Sequence, residues 1–405
     1  MTARVATVPL PQRISIQRFA AVPDPLKIAR YEKAPELGPR LLLFSGGTAM
    51  KRFSKSLVRY SHNSLHIITP FDSGGSSAEI RRAFEMLSIG DLRNRLMALA
   101  DQSLKGNPEI YRLFAHRLPQ EGRKPQLRAR LQAMAEGLDS LTDGIPVPMQ
   151  AIICGLLKDF SRMMPADFDL RGANIGNLAL TAGYLNHHRQ IETVLYLFSR
   201  LVEARGVVRP VVTDHLHLAA TLQDGSSLVG QHRITGDAVS KARSSVRELF
   251  LSASAENPER TDAAITAEMA ALIDSAELIG YPMGSFYTSV LANLLPRGIG
   301  RAVAANRCPK LFIPNTVSDG EQFGMTLGDA FEAIVRLLRE DCGGDPTDFV
   351  DCVLLDGRWG QYPFDLDLAR IKRWGIRVLD VPLITRDSFP YIDPDCLCSV
   401  LLSFT

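Results

Sequence analysis

Five short stretches of this chain combine glycine with hydroxyl, amide or carboxylate side chains: Ser45-Gly46-Gly47-Thr48, Asp72-Ser73-Gly74-Gly75-Ser76-Ser77, Arg171–Asn177 (RGANIGN), Gly284-Ser285 and Asn315–Glu321 (NTVSDGE). Adjacent glycines let a backbone approach a partner closely, because no Cβ stands in the way. Hydroxyls beside free backbone N–H groups suit an anion, above all a phosphate or diphosphate. Asp72 is the most suggestive acid. A carboxylate beside phosphates is repelled unless it holds Mg²⁺ or accepts a hydroxyl, so Asp72 reads either as a metal ligand or as the cap of the helix that follows. Asp91, in Gly90-Asp91-Leu92-Arg93-Asn94, reads most simply as a helix cap, and Arg93 as a cation for phosphate or a neighbouring acid.

The segments around these stretches say what positions them. Leu41–Phe44 is an apolar run into the first glycine turn, followed by a helix with apolar Met50, Phe53, Leu57 and Val58. Leu65–Ile68 leads into the second turn and another helix. Strand–loop–helix twice over begins an open parallel sheet, whose ligands bind beyond the carboxyl ends of the strands. Residues 90–205 read as helical almost throughout, an insertion or cap over the sheet. Residues 207–234 return to short strands, with a hairpin at Asp224-Gly225 and a last strand at QHRI. A helix is expected over Pro258–Ile273, then strands and helices alternate to Ile376–Leu379. The six prolines of residues 1–40 suggest an extended arm, with one short strand at Arg13–Gln17. The expected organisation is an N-terminal extension (1–40), a Rossmann-like core (41–100 and 171–405) and a helical insertion (101–170).

Composition narrows the partners. The chain has 405 residues, 46% hydrophobic and 22% charged, which is ordinary for a globular protein with a large core. A net charge of +2 gives no case for nucleic acid. No apolar run is long enough to span a membrane and no signal-peptide core is visible, so a cytoplasmic location is expected. Six scattered cysteines with no Cys-x-x-Cys pair read as reduced thiols. His215 and His217 share one face of a strand, a spacing that suits a metal but lacks a third ligand. Neither the G-x-x-x-x-G-K-[ST] nor the complete G-x-G-x-x-G phosphate signature is present. Tyr287 either stacks on a nucleobase or packs.

In order, LLLFSGGTAM, TPFDSGGSSAEIRR, GDLRNRLMALA, IGNLALTAGYL, GSFYTSVLANLLPRGI and FIPNTVSDGEQFG resemble the 2-phospho-L-lactate transferase superfamily over residues 41 to 340, and more closely its nucleotide-sugar-binding branch. The resemblance implies a Rossmann-like α/β fold, a mostly parallel sheet with flanking helices. It also implies a nucleotide-diphosphate ligand, a GDP or UDP derivative. In the transferase branch, Mg²⁺ assists transfer of a phospholactyl group from a guanosine diphosphate carrier to an alcohol. In the other branch the proteins are non-catalytic UDP-sugar binders in cell-envelope control. Carried over by position, Gly46, Gly47 and Thr48 would cradle phosphate, and Asp72, Gly74, Gly75, Ser76 and Ser77 would form the metal or phosphate loop. Asn177, Gly284, Ser285, Tyr287, Thr288 and Asn315 would line the nucleotide side. For a transferase, the expected catalytic groups are Asp72, through a bound metal, and a cation such as Arg93. Family habit implies a homodimer. Three positions depart from the pattern: Ala49 and Ala78 stand where glycines are expected, and Ser73 where a second Asp is expected.

Overall fold

A computed structural model describes residues 19–101, 106–235 and 244–405; the short strand expected at Arg13–Gln17 lies outside them. Seven strands form one parallel sheet: β1 (Leu41–Ser45), β2 (Leu65–Ile68), β3 (Val207–Pro210), β8 (Leu278–Tyr281), β9 (Lys310–Phe312), β10 (Cys352–Leu355) and β11 (Arg377–Asp380), in spatial order 11-10-9-8-1-2-3. The five inner strands are buried along their length because both their faces are covered, whereas the edge strands β3 and β11 are only partly buried. Leu42 and Phe44 face one side, and Leu41 and Leu43 the other, where the helices Lys51–Leu57 and Pro394–Leu402 pack. This is the α/β, Rossmann-like class expected from the sequence.

The strand order has one reversal. From β1 the chain winds outward through β2 to β3, then returns to lay β8 against the other edge of β1. A crevice opens beyond the carboxyl ends of two strands at such a reversal, which is where open α/β sheets bind ligands.

Between β3 and β8 runs a small antiparallel sheet: β4 (His217–Leu222), β5 (Ser227–Val229), β6 (Val246–Ser252) and β7 (Arg260–Thr261), in order 5-4-6-7. Its Leu218, Ala220, Val246 and Leu249 pack into the core that holds Leu42 and Phe44. The hairpin at Asp224-Gly225 is present, but QHRI is not a strand. Gly230 leaves β5 at φ +99° and Gln231–Thr235 turn into one short helix. The expected helix over Pro258–Ile273 is also shortened to Ala267–Asp274, because Arg260 and Thr261 add to the edge of β6.

The helices Pro108–Ala115, Lys124–Ala135 and Val147–Met163 share one apolar cluster with Gly90–Leu99, Ile175–Asn186 and Ile191–Leu201. The proline-rich stretch before β1 is helical in part, not extended. Asp24 accepts the N–H groups of Leu26 and Lys27 and caps Pro25–Lys33, with proline in the first turn where no N–H is needed. No helix among the described residues is long and apolar enough to cross a membrane.

Candidate functional site

The glycines after β1 answer to two neighbours. A Cβ on Gly46 would collide with the Ser289 hydroxyl, and one on Gly47 with the Asp91 carboxylate. The pair therefore lets Asp91 lie directly against the backbone turn. Gly47→Ala is expected to cost about 1–3 kcal/mol from overpacking and to weaken any ligand held by the turn; thermal melts and titrations of the variant check both.

Arg95 fixes this turn from beneath. It is fully buried, and burial lowers its pKa to about 10. One terminal nitrogen donates to the Gly46 carbonyl (2.7 Å) and the Ser45 hydroxyl (3.3 Å), and the other to the Ser54 hydroxyl. The Asp91 carboxyl is raised to about 6, first by burial and then by the Asp72 charge, against the pull of Arg95, the Gly47 N–H and Asn94.

Asp72 follows β2. It does not cap the next helix: the residue before Gly75–Phe84 is Gly74, which has no side chain to do so. One Asp72 oxygen instead accepts the Gly74 N–H at 3.0 Å. Asp72, Asp91 and Asn94 line one cavity of about 320 Å³ with the Ser45–Met50 turn, Met283–Ser285 and Ser289. Gln231 and Thr235 of the short helix also line it. That helix is held over Asp72–Gly74 by the Ser73 hydroxyl, which bonds the His232 N–H (3.2 Å) and Nδ1 (2.8 Å). Among the described residues, the N–H groups of Thr48 and Ala49 make no hydrogen bond.

The structure thus brings Gly46, Gly47, Thr48, Asp72, Gly284 and Ser285 to one cleft at the β1/β8 reversal. The other expected residues lie elsewhere. Gly74, Gly75, Ser76 and Ser77 begin the adjoining helix; Ser77 packs against Gly90, and the Ser76 hydroxyl accepts from Asn177 (3.2 Å) and Arg117 (3.4 Å). Arg93 is buried away from the cleft wall, donating to the Phe114 carbonyl and to Asn94. The N–H groups of Tyr287 and Thr288 are taken by the Glu321 carboxylate (2.7 and 3.0 Å), and that of Phe286 by Asp319 (2.8 Å). The chain supplies its own anions there. The Tyr287 ring packs with its hydroxyl on Met325 and the Val246 carbonyl, while the Thr288 hydroxyl donates to Glu321. Asn315 grips Gly284 from both sides: its Oδ1 accepts the Gly284 N–H (2.9 Å) and its Nδ2 donates to the Gly284 carbonyl (2.8 Å). His215 and His217 do lie together, 5.1 Å between ring centres, but the Arg81 guanidinium donates to His217 Nδ1, and burial, then the Arg81 charge, lower the His217 pKa to about 4. A cation already fills that place.

Sequence reasoning missed Asp91, Asn94, Gln231, Thr235 and Ser289 as cleft residues. Asp91 had a signal: it begins a helix in the same stretch that carries Arg93. A second cavity of about 330 Å³ adjoins the first across Ala49 and Met283–Ser285, with Arg52, Phe53, Asn315–Asp319, Tyr391, Ile392 and Pro394 on its walls.

A seven-stranded parallel sheet with a polar cleft at its reversal point defines an open α/β protein. Residues 41–384 match the family described as 2-phospho-L-lactate transferase CofD, and the chain belongs to that family. It is 26% identical over 356 residues to the gluconeogenesis factor of Listeria monocytogenes, covering 87% of this chain and 89% of the relative. It is 25% identical over 360 residues to the gluconeogenesis factor of Bacillus subtilis, covering 86% and 92%. Among solved structures it resembles a UPF0052 family member from Bacillus halodurans, at a TM-score of 0.66 and 24% identity over 90% of this chain and 99% of that one. That likeness bears on the fold.

Proposed function

We propose that this protein binds a nucleoside-diphosphate-activated substrate in the β1/β8 cleft and transfers its phospho group to an acceptor hydroxyl, a 2-phospho-L-lactate transferase-like activity. The reading rests on one observation: two carboxylates, Asp72 and Asp91, face a single cavity beside a glycine turn with unbonded amides. Two like charges in a confined space call for a cation. Among the described residues no three His, Cys, Asp or Glu side chains gather into a metal site. A cation here would take the two carboxylates and complete its shell with water and ligand oxygens, the habit of Mg²⁺. The donor set fits, with Asp72 and Asp91 holding the ion.

Bound there, Mg²⁺ would neutralise diphosphate charge. The Thr48 hydroxyl and the Thr48 and Ala49 amides hold phosphoryl oxygens, and Arg95 keeps that turn rigid from below. Gln231 and Thr235 roof the cavity and reduce its exposure to water. In the transfer the acceptor oxygen bonds to phosphorus, the bond to the nucleotide phosphate breaks, and the hydroxyl proton leaves to solvent.

Calorimetric titration with GDP and UDP, with and without Mg²⁺, tests the reading. Metal-dependent binding is expected in the wild type, weakened by about 100-fold in Asp72→Ala. No binding of either nucleotide would overturn it. Two observations favour a second reading, a non-catalytic UDP-sugar-binding regulator: Ser73 stands where the family carries a second acid, and the relatives are named gluconeogenesis factors. Tight, metal-independent UDP-sugar binding without turnover would select it.

A further inference from the structure

Ala49 stands at the junction of two cavities. Its backbone belongs to the glycine turn, and it lines both the acidic cavity with Asp72 and Asp91 and the neighbouring one. Gly284 lies opposite, also lining both. Its φ of +149° disfavours a side chain, and a Cβ built there would sit 3.4 Å from the Ala49 methyl. Both of its polar backbone groups are held by Asn315, so this wall cannot easily retreat. The Ala49 methyl therefore narrows the passage between the two cavities.

The two sides differ in chemistry. One has two carboxylates, a hydroxyl and unbonded amides. The other has Phe53, Val317, Tyr391, Ile392 and Pro394 on its walls, with Arg52 and Asp319 beside them, and Met283 borders both. The Tyr391 ring is 58% exposed at the rim of this second cavity. Its loop is anchored to the cavity floor, because the Thr316 hydroxyl donates to the Pro390 carbonyl at 2.8 Å. An exposed aromatic ring on an anchored loop beside an apolar hollow is a stacking face for a flat, uncharged ring.

Building on the reading above, we propose that the ligand is divided at this neck. Its diphosphate lies on the Asp72/Asp91 side, its nucleoside ring lies in the Phe53–Ile392 hollow against Tyr391, and the Ala49 methyl sets which connecting group can pass. Ala49 is then a specificity-determining residue: a larger side chain closes the passage. Each cavity, at about 330 and 320 Å³, lies at the lower end of the range for a small-molecule site.

Titrations with GDP, UDP and inorganic pyrophosphate, each with Mg²⁺, test the division on wild type, Ala49→Val and Tyr391→Ala. The wild type is expected to bind a nucleoside diphosphate more tightly than pyrophosphate. Tyr391→Ala is expected to lose about tenfold on the nucleotide with pyrophosphate affinity unchanged, and Ala49→Val to lose about 30-fold more on the nucleotide than on pyrophosphate. Retained pyrophosphate binding also reports that each variant is folded; Ala49→Ser replaces the valine variant if that one does not fold. Equal losses on both ligands, or no loss on the nucleotide, overturn the division while leaving nucleotide binding standing. Failure of the wild type to bind either nucleotide removes the underlying reading as well.

Discussion

Arg95→Met is expected to destabilise the protein by about 3–5 kcal/mol, the usual cost of removing one member of a buried charged network. Arg95 holds the Ser45 and Ser54 hydroxyls and the Gly46 carbonyl from a fully buried position. Methionine fills the volume but supplies none of those donors. The buried Asp91 carboxyl also loses the positive charge that opposes its raised pKa. Arg95→Lys keeps the charge without the planar fork that reaches three acceptors, so it should fall between. Denaturant unfolding of the three proteins gives the answer. A methionine variant within about 1 kcal/mol of wild type would show that the turn is held by packing alone.

Asp91→Asn is expected to move stability and binding in opposite directions. The folded chain raises this carboxyl to about 6, above its ordinary 3.8. Folding therefore favours the protonated form. The penalty for ionised Asp91 is fully present above pH 6, fades as pH falls from 6 towards 4, and is absent below the unfolded value. At neutral pH it amounts to about 3 kcal/mol at most, with the attraction to Arg95 already included. In chelator, the asparagine variant should thus be about 1–3 kcal/mol more stable than wild type at pH 7.5, with the difference vanishing near pH 4. Mg²⁺-dependent nucleotide binding should weaken by about 100-fold. Melting curves at the two pH values, with titrations alongside, separate the effects. A variant less stable at pH 7.5 would mean that the Arg95 pairing outweighs the cost of burial.

The start of the parallel sheet was legible because β1 and β2 each announced themselves twice, by a run of apolar residues and by the glycine turn after it. Leu41–Phe44 before Gly46-Gly47 is the clearest case, and β1 ends at Ser45. The cleft was half legible. Gly46, Gly47, Thr48 and Asp72 sit at strand ends, where local sequence tells of position. Asp91 sits at a helix start, where a structural cap and a cleft acid have the same local sequence; only its contact with Gly47 across the cleft distinguishes them. Tyr287 and Thr288 were read as ligand donors because their amides follow a glycine loop. The acceptors that occupy those amides come from Asp319 and Glu321, on a separate loop. QHRI alternates like a strand, yet the turn at Gly230 and the Ser73 hydroxyl bonding His232 convert it to a helix over the cleft. For Asp91, Tyr287 and Thr288, the deciding partner lay far along the chain.

The pairing of β1 with β8, which puts Leu41 beside Leu278, has a kinetic consequence. The residues bordering the crevice come from both ends of that pairing, so nothing can be gripped until a very long stretch of chain has been closed into a loop. Closure of this kind is slow. A molecule that recognises only the completed crevice will bind no half-formed intermediate. It will lower the population of open, protease-sensitive forms across both halves of the sheet together, and will not shield one loop alone.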